Sequence, residues 1–173
     1  MKPFHIRLIT LCVLVLLTAL TRLLPHPPNF APVAALALFG AALFERKVIG
    51  LLAPFAAMLL SDALIGFHGL MAYVYGSFAL SWLLGLWIRK NPTVPVIGAA
   101  SLLSSVLFFL ITNFGVWYGS AYYPQNGAGL LACYVAALPF FQYSVLGDLV
   151  YTAVLFGGYY LLQQRYTALR PAR

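Results

Sequence analysis

The sequence predicts an all-α fold: a polytopic membrane helix bundle of six transmembrane helices plus a short outer-face helix, with N- and C-termini cytoplasmic. Three observations carry that prediction. Of 173 residues, 63% are hydrophobic and 8% charged, with a mean hydropathy of +0.93, whereas a soluble domain carries about 25% charged residues. Apolar runs recur at roughly the 20-residue length that a helix needs to cross the hydrocarbon core. The ten lysines and arginines sit in short clusters between those runs, which is how topology signals are arranged. A chain of this size is read as one membrane domain over residues 1–173, with no room for a sizeable soluble domain.

The first span is expected at about 8–24. Lys2 and Arg7 followed by "LITLCVLVLLTAL" resemble the n- and h-regions of a signal peptide, but the small-x-small cleavage site is missing and the apolar run continues to Leu24. An uncleaved span is therefore expected. Pro25, Pro27 and Pro28 cannot continue a helix and push their predecessors toward extended backbone, so a stiff outer turn should hold Arg22, His26 and Asn29 over the bundle mouth. Asn29 has an alternative reading as the N-cap of the next span, and His26 as a solvated loop histidine.

The second span, about 30–44, is short. Ala31 and Ala35, and Ala37 and Ala41, stand at small-xxx-small spacing, which lets helices approach closely in lipid. That serves either internal packing or the docking of a partner subunit. Further spans are expected at about 48–66, 71–88, 95–115 and 144–162. The run "AGLLACYVAALPFF", about 128–141, is closed by Pro139 and reads as the short outer helix; Gly157 and Gly158 offer a second close helix contact. With six spans, Lys2, Arg7, Arg46, Lys47, Arg89, Lys90, Arg165, Arg170 and Arg173 fall on the cytoplasmic side and Arg22 outside, in keeping with the positive-inside bias.

That topology concentrates polar side chains at the outer end. Arg22, Asp62 and Asp148 lie at outer ends of spans, where a buried ionisable group is costly and usually pairs within the bundle. Arg22 should meet one aspartate and leave the other for a ligand; the plain alternative is a structural bridge between helices. Asn29, His68, Tyr75, Asn113, Trp117 and Tyr118 complete the candidate ligand-binding set with Arg22, Asp62 and Asp148, although tyrosines and tryptophans also form interface belts. The glycine-bearing loop 116–128 is a candidate lid.

Catalytic motifs are missing: no GxSxG elbow, HExxH or P-loop stands in the chain, so an enzyme is not expected and no cofactor is implied. His26, His68, Asp62 and Asp148 lack metal-ligand spacing, so no metal site is expected. Cys12 and Cys133 sit in apolar surroundings as two buried thiols, with one disulfide as the alternative. Basic residues confined to loop clusters do not suit nucleic-acid binding.

The blocks "PPNFAPVAALALFGAALF", "LLSDALIGFHG", "YVYGSFAL", "FFLITNFGVW" and "GLLACYVAALPFF…GDLVYTAVLFG" resemble a family of small bacterial membrane proteins of uncharacterised function. More distantly, the family is similar to the S-components of energy-coupling-factor vitamin transporters. That resemblance implies six spans, an outer-facing pocket, a bacterial inner (cytoplasmic) membrane and a partner module supplying ATPase power. By analogy it also implies a vitamin-like ligand, with a corrinoid as the leading guess. Small-residue spacing is clearest here in the second span, whereas S-components carry their AxxxA docking motif in the first. The expected function is therefore a substrate-binding membrane protein for uptake of a small organic ligand from the outer side. The alternatives are a membrane scaffold or assembly subunit, or a metal-ion permease.

Overall fold

The computed structural model describes residues 3–170, which leaves Lys2 and Arg173, both assigned above to the cytoplasmic side, outside the described residues. Among the described residues every regular element is helical. Five helices are long and apolar enough to cross a membrane, so by length and composition this is a membrane protein. Helix α1 (Pro3–Leu20) continues into a 3-10 turn at Thr21–Leu23. Its buried residues Arg7, Leu11, Val15 and Ala19 recur every fourth position, the stripe of a helix facing its neighbours on one side. The opposite side shows Ile9, Val13, Leu16 and Leu17, an apolar surface that suits lipid rather than water.

The proline turn forms as expected. Leu24, ahead of Pro25, is extended at ψ 150°, and Phe30 N–H donates to Pro27 O at 3.1 Å. Pro28 and Asn29 occupy the two central positions of that turn, and Asn29 takes a left-handed φ of 65°. This is the type II pattern: proline fixes the first central φ, and asparagine tolerates the positive second one. Asn29 therefore does not cap the next helix, because Pro32 holds that position.

Helix α2 (Val33–Leu43) departs from the expected 30–44 span. Its 11 residues cover about 16 Å, too short to cross a bilayer core of about 30 Å. Residues Val33 to Ala41 are all buried, so α2 is a central pillar. Ala35, Ala37 and Ala41 are fully enclosed, which makes their small-residue spacing an internal packing device. One glycine pair and a third glycine tighten that packing. A Cβ on Gly40 would strike the Gly50 carbonyl of α3, and one on Gly85 of α4 would strike Ala41 and Leu38. By contrast, Gly157 and Gly158 face open space, so the close contact expected there does not form.

Helices α3 (Lys47–Ile65), α4 (Met71–Lys90) and α5 (Val94–Gly119) follow the expected spans closely. The next two predicted elements do not. The separate outer helix at 128–141 and the span at 144–162 are one continuous rod, Gly127–Arg165, of 39 residues. It comprises α6 (Gly127–Thr152), a π turn at Ala153–Gly157 and α7 (Gly158–Arg165). Pro139 sits inside α6 without ending it; in a membrane bundle neighbouring groups compensate for the missing N–H. The acceptor freed by the missing N–H is Val135 O, one turn earlier, and the Gln142 side chain adds a bond to the Pro139 carbonyl at 3.0 Å. Asn126 starts the rod by accepting from Gly129 N–H at 2.9 Å, an ordinary side-chain N-cap.

The two ends of the bundle differ in character. One end, here the basic end, carries Arg7, Glu45, Arg46, Lys47, Arg89 and Lys90. The other, the cavity end, carries the proline turn and the Asp62 and Asp148 carboxylates.

Candidate functional site

At the cavity end a hollow of about 320 Å³ opens above the first turn of α2. It exists because α2 starts lower in the bundle than its neighbours, and the 24–32 turn covers only part of the gap. Arg22, Asn29, His68, Asn113 and Asp148 line it with apolar walls from Val74, Phe108 and Val116. Five of the nine sequence-predicted site residues thus converge on one cavity.

Asp62 and Tyr75 stand behind that lining. Arg22 Nη2 forms an ion pair with Asp62 Oδ1 at 2.5 Å. Tyr75 O–H donates to Asp62 Oδ2 at 2.6 Å, so both carboxylate oxygens are engaged. Arg22 Nη1 also donates to Ser61 Oγ at 2.5 Å and to Met58 O at 3.3 Å. A buried pair is retained only when its remaining lone pairs and protons are satisfied, and this one is. It ties α1, α3 and α4 together.

Asp148 is the second aspartate, and its surroundings differ. It is 5% exposed and accepts from Ser105 Oγ at 2.6 Å. The backbone amide of Ala34, in the first turn of α2, faces the same carboxyl. Among the described residues it forms no ion pair. A carboxylate next to a cavity, served by hydroxyl and amide donors but no cation, is equipped to receive a donor from a ligand.

Trp117 and Tyr118 do not join the cavity. Trp117 Nε1 donates to Pro124 O at 3.0 Å within its own loop, and Tyr118 lies exposed, stacked on Phe114. The candidate lid is held by its own bonds, with Gln125 Nε2 donating to Trp117 O at 2.8 Å; of its residues only Val116 reaches the cavity wall. His26 is exposed and its ring contacts Pro27 O. Among the described residues no three His, Cys, Asp or Glu side chains gather as a metal site, and Cys12 and Cys133 are free thiols.

Sequence reasoning passed over the serines. Ser61 bridges Arg22 to α3, Ser105 serves Asp148, and Ser144 lines the cavity. A readable signal existed: small hydroxyl residues inside apolar runs are the usual interhelical donors in membranes. It also passed over the basic end, where Arg7 bonds Tyr159 Oη at 3.1 Å, Glu45 Oε1 at 2.8 Å and Leu43 O at 2.9 Å. Arg89 donates there to Phe44 O at 2.6 Å and Glu45 O at 2.9 Å.

Among curated proteins and solved structures, none matches the chain. Residues 2–169 do match the model of a family of unknown function, DUF6580, and over that near-complete span the chain belongs to that family.

Proposed function

We propose that this protein is a six-span protein of the bacterial cytoplasmic membrane that binds a small organic ligand from the outer side for uptake. In this reading α2 and the proline turn together make the sixth crossing, and the basic end faces the cytoplasm, in accord with the positive-inside bias. The single observation that carries the binding reading is the cavity of about 320 Å³ with Asp148 at its wall. That volume lies at the small end of the range for ligand pockets, and a mostly apolar lining with a few convergent polar groups is their usual character.

The charge pattern narrows the ligand. Asp62 already neutralises Arg22, so the acidic group left without an ionic partner beside the cavity is the Asp148 carboxyl. A ligand with a basic amine or similar cationic donor fits that site best. The size favours one or two rings, and a corrinoid would be held only after the mouth opened. An S-component-like role, with a partner ATPase module supplying energy, agrees with the absence of a nucleotide-binding motif in the sequence.

Native mass spectrometry of gently purified protein tests the binding reading. A co-purified small molecule retained by the parent protein and lost in Asp148→Asn, with thermal unfolding unchanged, supports it. Removing a charge-assisted hydrogen bond should weaken retention by about 10- to 100-fold. A clean apo mass across growth media, with Asp148→Asn lowering only folding yield, would instead make Asp148 a helix-bridging group and the protein a scaffold.

A further inference from the structure

A second site stands at the basic end, independent of the cavity. Lys47, Arg89 and Lys90 surround a half-open groove of about 650 Å³ whose other walls are Leu83, Leu86 and Trp87. Leu83, Leu86, Trp87 and Lys90 fall three, four and seven positions apart on α4, so they form one strip along the helix. The strip runs about 10 Å from the cationic mouth toward the middle of the bundle, and Leu83 and Trp87 are exposed along it.

Among the described residues no carboxylate answers the charge at this mouth. Three side chains carry a carboxylate. Asp62 and Asp148 belong to the cavity end, and Glu45 is paired with Arg7 at 2.8 Å. Arg89 is held in place by two main-chain carbonyls, which orient its guanidinium without cancelling its charge. Arg46 at the start of α3 adds a further exposed cation. No side chain caps the first turn of α3, so the partial positive charge of that helix end is added to the cluster.

We infer that this groove binds an anionic phospholipid: Lys47, Arg89 and Lys90 hold the headgroup phosphate while an acyl chain lies along Trp87, Leu86 and Leu83. A free phosphate would use the cations and leave the apolar strip idle. A zwitterionic lipid would use the strip but gain little from three uncompensated charges. The anionic lipid uses both, and basic pockets beside membrane helices recognise such headgroups. On this reading the Trp87 indole meets the headgroup region, as interfacial tryptophans do.

The test is native mass spectrometry of the detergent-purified full chain titrated with dioleoyl phosphatidylglycerol or dioleoyl phosphatidylcholine. The parent protein should retain the phosphatidylglycerol in clear preference. Lys47→Gln with Lys90→Gln should lower that retention by roughly thirtyfold, two charges' worth near an anionic headgroup. Arg165→Gln with Arg170→Gln, an equal charge loss elsewhere, should leave the preference intact. Arg89 is spared because it also closes the end of α2. Equal loss in both double variants, no preference between the lipids, or full displacement by excess inorganic phosphate would overturn the inference. A second measurement needs no lysine variant: phosphatidylglycerol with brominated acyl chains should quench tryptophan fluorescence in the parent protein and much less in Trp87→Phe. Unchanged quenching in Trp87→Phe would equally overturn it.

Discussion

The two ends of α1 present nearly the same chemistry to opposite purposes. Arg7 and Arg22 stand 15 residues apart, about 22 Å along the helix, and each pairs with a carboxylate beside a tyrosine, which accepts from Arg7 itself at one end and donates to Asp62 at the other. At the basic end Arg7 takes Glu45 and the Tyr159 hydroxyl, and its remaining donor goes to Leu43 O. The Tyr159 hydroxyl in turn donates to Leu169 O at 3.0 Å. The Arg7 bond to Leu43 O and the Arg89 bond to Phe44 O close the C-terminus of α2, whose last carbonyls need partners. At the cavity end Arg22, Asp62 and Tyr75 form the matching triad, but one layer below the N-terminus of α2 is left open. The difference teaches that a triad of arginine, acid and tyrosine is no mark of a binding site by itself. What distinguishes the cavity end is the additional carboxylate, Asp148, with space in front of it.

Breaking the triads separately sharpens that contrast, and the largest effect should come from Arg22. Asp62 is 1% exposed, so Arg22→Ala leaves a buried charge without a partner, which costs about 3–5 kcal/mol. Thermal unfolding in detergent should show it as a large loss, partly restored in Arg22→Met with Asp62→Leu. Arg7→Ala should cost less, because Glu45 has a 44% exposed side chain that water can serve. If Arg7→Ala proved as damaging as Arg22→Ala, the comparison would fail.

Tyr75→Phe comes next. It removes one donor to an ionised oxygen, worth about 1.5–3 kcal/mol, and the same measurement should place it between the two arginine variants. Gly40→Ala should follow at about 1–3 kcal/mol, because a Cβ there meets the Gly50 backbone and forces α2 and α3 apart. The smallest effect belongs to Gly157→Ala, which adds a methyl into open space and should stay within about 0.5 kcal/mol. A large loss at Gly157 would mean that the rod depends on its π turn more than its surroundings indicate.

Much of the fold could be read from local pattern. The proline cluster announced its turn because Pro and Asn restrict φ one residue at a time. Helices α3 to α5 were legible because their apolar runs match membrane thickness and are bounded by Gly, Pro and Asn. Pro139 misled for the same local reason: it reads as a stop, yet a membrane helix can lose one N–H and continue. The length of α2 was not legible, since a fully enclosed helix and a short span are equally apolar.

For the site, Arg22 with one aspartate followed from charge alone. Which aspartate it takes is settled by the placement of α3 beside the end of α1, a fact about packing. The Arg7 network joins residues 38 and 152 positions apart, far beyond the reach of any spacing rule. Trp117 and Tyr118 shared the expected end of the bundle with the cavity, and only the direction of the α5 face separates them from it.

The burial of α2 also governs the order in which the chain can be assembled. Synthesis runs from the N-terminus, so α2 leaves the ribosome before any of α3 to α6 exists to enclose it. Eleven apolar residues cannot hold a transmembrane position alone, and its final neighbours arrive one by one. Gly50 closes against Gly40 first, Gly85 against Leu38 and Ala41 next, and the Asp148 carboxyl reaches the Ala34 amide last. The protein is thus built around a segment whose last enclosing partner is among the last parts of the chain to be made. Released chains truncated before Gly147 should stay sensitive to proteases and membrane quality control, and those extending beyond Leu169 should not.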